Sequence, residues 1–312
     1  MMKFLPAPLR GVIASLLLGA NTLLCAAAIL PSALLKLLIP FKPVRKQVDR
    51  WLNWLAESWI VLNGVWIRLM QQGQQWQIDG LERLRYQGWY LVNSNHQSWV
   101  DIFVLQKVLN RRIPFLKFFL KRELIFVPVI GLAWWALDFP FMRRYSESYL
   151  KKHPERRGQD QRTTRAACEK FKLVPTSVIN FLEGTRFTPI KHRAQQSPYR
   201  HLLRPKAGGI ALALNAMGER FQSLLDVTIF YPDGVPSFWE FLCGKVRRVV
   251  VHIHEAPIPR HLINGDYGGD PAFRAQVQNW VHELWLAKDQ RLEGLRRQFG
   301  LPAVTQPEAA MA

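Results

Sequence analysis

Residues 11–35 (GVIASLLLGANTLLCAAAILPSALL) carry no charged side chain. That run is longer than the ~20 residues an α-helix needs to cross a bilayer. Lys42, Arg45, Lys46 and Arg50 follow it, the cationic excess that marks a cytoplasmic flank. A cleaved signal peptide has a shorter apolar region and a small-residue cleavage site. A lipoprotein signal at Cys25 would need a small residue where Leu24 stands. The pattern predicts a retained, membrane-embedded helical segment, with Asn21 and Pro31 as places where it can break. From Val48 to Met70, Trp51, Trp54, Leu55, Trp59, Leu62 and Trp66 recur at helical spacing, interrupted by Asp49, Glu57 and Arg68. This predicts an amphipathic helix, lying at a membrane interface or packed on the domain. A third apolar run, residues 124–137 (LIFVPVIGLAWWAL), is too short for a span and reads as a core or interfacial element.

Beyond Gln71 the periodicity alternates between strand and helix. WYLVNSN (89–95), VPTSVINFL (174–182), DVTIFYP (226–232) and RRVVVHIH (247–254) read as strands. Residues 98–109, 209–218 and 272–299 read as helices, the last one basic and amphipathic. The expected class is α/β, a mixed sheet flanked by helices behind the N-terminal membrane segment. The expected division is an anchor and interfacial helix over 1–70, an α/β domain over 71–300 and a flexible tail over 301–312.

Composition excludes disorder over most of this length: 49% of residues are hydrophobic, with 12 Trp and 18 Phe to build a core. The net charge of +19 calls for an anionic partner, whether nucleic acid, anionic lipid or a phosphorylated substrate. Cys25, Cys168 and Cys243 show no paired spacing, which argues against a disulfide framework or zinc module and suits a reducing compartment.

Candidate chemistry falls where two strands end. In NHQSWVD, His96 precedes Asp101 by five residues at a strand-to-helix turn. A neutral histidine can take a proton from a hydroxyl, and a carboxylate about one turn away can set its tautomer. No GxSxG-type nucleophile motif is present, so the base would act on the acceptor hydroxyl directly. The same spacing recurs at His261 and Asp266, so spacing alone does not separate a base from a helix-capping histidine. In FLEGTRF, an apolar strand delivers Glu183, Gly184, Thr185 and Arg186 at its carboxyl end. Arginine's planar fork suits phosphate, although a Glu–Arg-stabilised turn has the same composition. His252 and His254 share a strand face, but no third metal ligand accompanies them.

Taken in order, these motifs resemble the glycerolipid acyltransferases of the PlsC type, which include the 1-acylglycerol-3-phosphate acyltransferases. FLKRELIFVPVIG (119–131), FPFMRRYS (139–146) and RPKAGG (204–209) resemble further blocks of that family, and EGTRFT continues into Lys191 and His192. Pro140 and Met142 depart from the usual residues of the aromatic–arginine block. The resemblance covers roughly residues 75–255. It implies His96 as general base oriented by Asp101, and Arg143, Glu183, Gly184, Thr185 and Arg186 at the acceptor phosphate. Lys121 would add positive charge, and Pro205 and Lys206 belong to a further motif. Acyl-CoA or acyl carrier protein would be co-substrate and a lysophospholipid the acceptor, with no metal or other cofactor. Membrane lipids would be partners, and the expected location is the cytoplasmic face of a bacterial inner membrane. A CoA-independent transacylase, or an acyltransferase for lysocardiolipin or lysophosphatidylglycerol, would share these motifs. A membrane-anchored nucleic-acid binder would share the charge, but no RNP, zinc-finger or helix-turn-helix signature is present and no nucleic acid is expected.

Overall fold

The computed structural model describes residues 4–39, 41–71, 73–142, 171 and 174–302. The chain opens with two long helices, α1 (Ala7–Leu38) and α2 (Lys42–Met70), packed on one another. α1 runs unbroken through both Asn21 and Pro31. Asn21 is accommodated because its side-chain amide donates to Trp59 O (3.0 Å) and Asn63 Oδ1 (2.8 Å) on α2. A polar group that could have broken the helix thereby becomes a helix–helix bond. Lys36, near the end of α1, pairs with Asp49 (2.5 Å) on α2 and with Asp138.

The remaining elements, in chain order, are β1 (Gln75–Asp79), β2 (Tyr90–Ser94), α3 (Val100–Leu109), β3 (Leu116–Phe118), β4 (Leu120–Lys121), α4 (Ile130–Ala136), β5 (Phe141–Met142), β6 (Ser177–Phe181), α5 (Pro189–Ala194), α6 (Gly208–Met217), β7 (Ser223–Phe230), α7 (Phe238–Leu242), β8 (Arg248–Ala256) and α8 (Pro271–Gln298). Six strands form one sheet in the order β1-β8-β7-β2-β6-β3. All neighbours are parallel except β7 and β8, so the sheet is mixed, as the strand–helix alternation predicts. β4 and β5 pair separately. β2 lies in the middle and is buried at every position, which explains its apolar start at Tyr90, Leu91 and Val92. β1 and β3 escaped sequence reading. β1 (QWQID) is a polar edge strand with alternating exposure, and β3 is only three residues long.

Two cores sandwich the sheet. Val92, Ile179, Leu225, Val227 and Ile229 face one core, which continues into Ala14, Ile29, Leu52 and Ile60 of the N-terminal hairpin. Leu91, Val178, Leu224 and Phe230 face the other, built with α6 and α8. The hairpin therefore shares a core with the domain, and no break between cores falls at residue 70. α1 also lies against α7, where Gly11 leaves no room for a side chain: a Cβ there would sit 2.7 Å from Cys243 Sγ.

Only 22% of the most apolar window of α1 is buried, and among the described residues α1 alone is long and apolar enough to cross a membrane. Trp51, Trp54 and Leu62 on α2, with Phe126, Leu132 and Trp135 around α4, extend the exposed apolar surface. The 124–137 run, expected as a core or interfacial element, divides between a 3-10 turn (Arg122–Phe126) and α4.

Candidate active site

β2, β6 and β7 run parallel, so the residues that follow them gather at one edge of the sheet. That edge receives His96 after β2, Glu183–Arg186 after β6 and Tyr231 after β7, the usual ligand-binding end of an open α/β sheet. His96 Nδ1 lies 2.9 Å from Asp101 Oδ2. The same oxygen accepts from the main-chain N–H of Gln97 (2.6 Å) and Ser98 (2.9 Å), while Oδ1 accepts from the Tyr231 hydroxyl (2.6 Å). Asp101 is completely buried, whereas the His96 side chain keeps 12% exposure. Four donors hold the carboxylate in place, and the imidazole retains an edge open to a reactant. With Nδ1–H bonded to Asp101, Nε2 is left with a free lone pair. The ring is also stacked on Phe181, with centroids 4.0 Å apart.

The main chain around this pair is held from both neighbouring strands. Asn95 exchanges two bonds of 2.9 Å with the main chain of Ile229 on β7. His96 N–H donates to Glu183 Oε1 (2.8 Å), and His96 O accepts from Phe187 N–H (2.7 Å). The loop after β6 is thus fastened to the loop after β2 on both sides of the histidine. Gly184 sits at φ +67° in that loop, a left-handed conformation that a side chain would strain.

Glu183 departs from its expected contact with the acceptor phosphate. It is completely buried, and both its oxygens are taken by main-chain donors, His96 N–H and Leu203 N–H (3.0 Å). A carboxylate so enclosed positions the loops. Burial pushes its carboxyl up to about 8, opposed by the two main-chain bonds. Above its ordinary value of 4.5, folded Glu183 keeps a proton that the unfolded chain releases. Its contribution to stability is therefore complete below about 4.5 and declines as pH rises through about 8. The melting temperature of the protein should fall across this window, with a smaller fall in Glu183→Gln. An identical fall in both proteins would show that another group is responsible.

Arg186 is exposed and stacks its guanidinium over Trp99, 4.9 Å from the ring centroid, without pairing to any carboxylate among the described residues. The Thr185 hydroxyl accepts from Lys191 Nζ (2.7 Å), which also donates to Arg186 O (3.1 Å). Lys121, on β4, and Lys206 are exposed, and Pro205 is half-buried. Lys206 N–H donates to Leu182 O (2.7 Å), tying the 204–209 motif to the end of β6. Arg143 lies outside the described residues. The second His–Asp spacing has a different outcome: Asp266 accepts from Gly268 and Gly269 N–H in a turn, and His261 is exposed in a 3-10 segment. Tyr231 is the functional group that sequence reading missed. Its signal was an aromatic hydroxyl at the carboxyl end of a buried strand parallel to the one that delivers His96.

Comparison with known proteins finds similar chains. Mouse 1-acyl-sn-glycerol-3-phosphate acyltransferase gamma is 27% identical over 192 residues, 58% of this chain and 46% of its own length. Arabidopsis thaliana 1-acyl-sn-glycerol-3-phosphate acyltransferase 2 is 26% identical over 274 residues, 81% of this chain and 64% of its own. This chain therefore spans about half to two-thirds of the length of these relatives. The crystal structure of the 1-acyl-sn-glycerophosphate acyltransferase PlsC from Thermotoga maritima superposes with a TM-score of 0.45 at 19% identity, covering 88% of this chain and 97% of that one. The Acyltransferase family model matches residues 75–232, half of the chain, and that stretch contains His96, Asp101, the Glu183–Arg186 loop and Tyr231. The chain belongs to the acyltransferase family.

Proposed function

We propose that the protein transfers a fatty acyl group from a thioester, acyl-CoA or acyl carrier protein, to the free hydroxyl of a lysophospholipid, with 1-acylglycerol-3-phosphate as acceptor and phosphatidic acid as product. The observation that carries this reading is the His96–Asp101 pair, whose carboxylate has four donors and whose imidazole edge remains open. His96 Nε2 takes the acceptor hydroxyl proton as the oxygen attacks the thioester carbonyl. Asp101 stabilises the imidazolium that forms. The tetrahedral intermediate collapses with cleavage of the carbon–sulfur bond, and the imidazolium returns its proton to the departing thiolate. No covalent acyl-enzyme is needed. The names of the relatives, each a 1-acyl-sn-glycerol-3-phosphate acyltransferase, support the acceptor.

Arg186 is the phosphate ligand in this reading, with Lys121, Lys206 and Arg143 adding positive charge. α1 anchors the enzyme in the bacterial inner membrane, with the site on the cytoplasmic side where the thioester carriers are found. The test is to incubate the purified protein with labelled acyl-CoA and a panel of lysophospholipids, scoring which one is acylated. Acyl exchange between phospholipids without any thioester would select a CoA-independent transacylase. Preferential acylation of lysocardiolipin or lysophosphatidylglycerol would replace the acceptor. Salt-dependent nucleic-acid binding without acyl transfer would overturn the enzymatic reading altogether.

Arg186→Lys separates acceptor binding from chemistry. Lysine keeps the charge but loses both the fork and the flat stacking on Trp99. The KM for the lysophospholipid should rise about ten- to a hundredfold while that for acyl-CoA stays constant. If the donor KM rises instead, the Glu-Gly-Thr-Arg loop belongs to the thioester side.

A further inference from the structure

α8 lies beyond residues 75–232, the stretch that defines the family match, yet it is bonded into the site along one stripe. His282, Trp285, Asp289 and Glu293 recur at helical spacings of three and four and grip residues 199–203, a segment with no regular secondary structure. The Tyr199 hydroxyl bonds His282 Nδ1 (2.7 Å), and His201 Nε2 bonds Glu293 Oε2 (2.8 Å). Trp285 Nε1–H donates to Leu203 O (3.0 Å). Asp289 accepts two main-chain N–H groups, from Arg200 (2.9 Å) and His201 (2.8 Å). Leu203, held at the end of this segment, turns its own N–H to Glu183, whose other oxygen holds His96 N–H. Irregular backbone must find partners for its polar groups, and whatever supplies them dictates where the segment lies.

A second stripe of α8 reaches the other half of the dyad. Lys288 is completely buried, donates to Val227 O (2.5 Å) and pairs with Asp226 (2.9 Å), both on β7. The same strand carries Ile229, bonded to Asn95, and leads to Tyr231, bonded to Asp101.

We propose that α8 is a positioning element of the catalytic dyad, and that Asp289 and Trp285 set the placement of His96 through Leu203 and Glu183. This rests on His96 being the base. Asp289 and Trp285 touch neither substrate; they act through the main chain of the 200–203 segment. A catalytic group displaced by about 1 Å can lose ~10²-fold in rate, so a small shift passed along these three hydrogen bonds is enough to matter.

The test compares kcat, KM and melting temperature of the full-length protein carrying Asp289→Asn, alone and combined with Glu183→Gln. Asparagine presents one oxygen and one NH2 to two N–H donors, so one bond is lost and a donor faces a donor. Asp289→Asn should lower kcat about five- to fiftyfold with both KM values unchanged, and by much less when Glu183→Gln has already cut the relay. Trp285→Phe removes the indole N–H together with the smaller ring of the indole at a buried position, so its melting temperature is read alongside, and its loss of kcat should show the same dependence on Glu183. Glu283→Gln, an exposed position on the same helix, should leave kcat unaltered. Equal fold losses in both backgrounds would show that α8 contributes stability only and would overturn the proposal, as would an unchanged kcat in folded Asp289→Asn. His96→Ala is measured in parallel: if it retains turnover, the assignment of the base fails, a result distinct from failure of the relay.

Discussion

His96→Ala will lower turnover by about 10²- to 10⁴-fold, the usual contribution of a positioned general base. Among the described residues it removes the one group at the sheet edge that combines a bonded Nδ1, an open edge and a buried carboxylate behind it. Stability should change little, because the residues around His96 are held through main-chain bonds that alanine preserves. His261→Ala is the matched control, since His261 has the same spacing from an aspartate but lies exposed in a 3-10 segment whose Asp266 is occupied by a glycine turn. The readout is kcat for acyl transfer from a labelled thioester to a lysophospholipid. Equal activity of the two variants would remove His96 from the mechanism.

Asp101→Asn will cost a comparable 10²- to 10⁴-fold in kcat, about the loss seen when the carboxylate of a serine-protease triad becomes an amide. The geometry makes this a clean electrostatic probe. Oδ2 accepts three N–H groups, from His96, Gln97 and Ser98, so the asparagine oxygen must take that place. The NH2 then occupies the Oδ1 position against the Tyr231 hydroxyl, which can rotate from donor to acceptor. Every contact survives, and only the negative charge that stabilises the imidazolium is gone. KM and melting temperature should therefore remain near wild type while kcat falls. A fall in melting temperature matching the loss of rate would mean that Asp101 is structural, and that the His96–Asp101 contact is a cap on α3.

Much of the architecture was legible without coordinates. Central strands such as β2 and β7 announce themselves because burial on both faces calls for segments rich in apolar residues. α1 does so because no charge interrupts residues 11–35. The turn that carries His96 was legible for the same reason, as a polar break after such a run. β1 and β3 were not, since a polar edge strand and a three-residue strand have no periodicity of their own and exist only through pairing with β8 and β6. The continuity of α1 through Asn21 was equally hidden, because the bonds that accommodate the amide come from Trp59 and Asn63 on another helix.

By itself the sequence nominated the candidates for the chemistry, because His96, Asp101 and Arg186 are chosen by functional groups that no packing arrangement can supply. Tertiary structure alone decided what those residues contact. Two His–Asp pairs had equal spacing, and each aspartate accepts two local main-chain N–H groups; only the meeting of β2 with β7 gave one of them a buried carboxylate and the Tyr231 hydroxyl. Glu183 looked like a ligand in its motif and became a buried brace, since the N–H groups it accepts belong to residues 87 earlier and 20 later in the chain. Bonds across such separations follow from chain topology, and a local pattern of side chains carries no record of them.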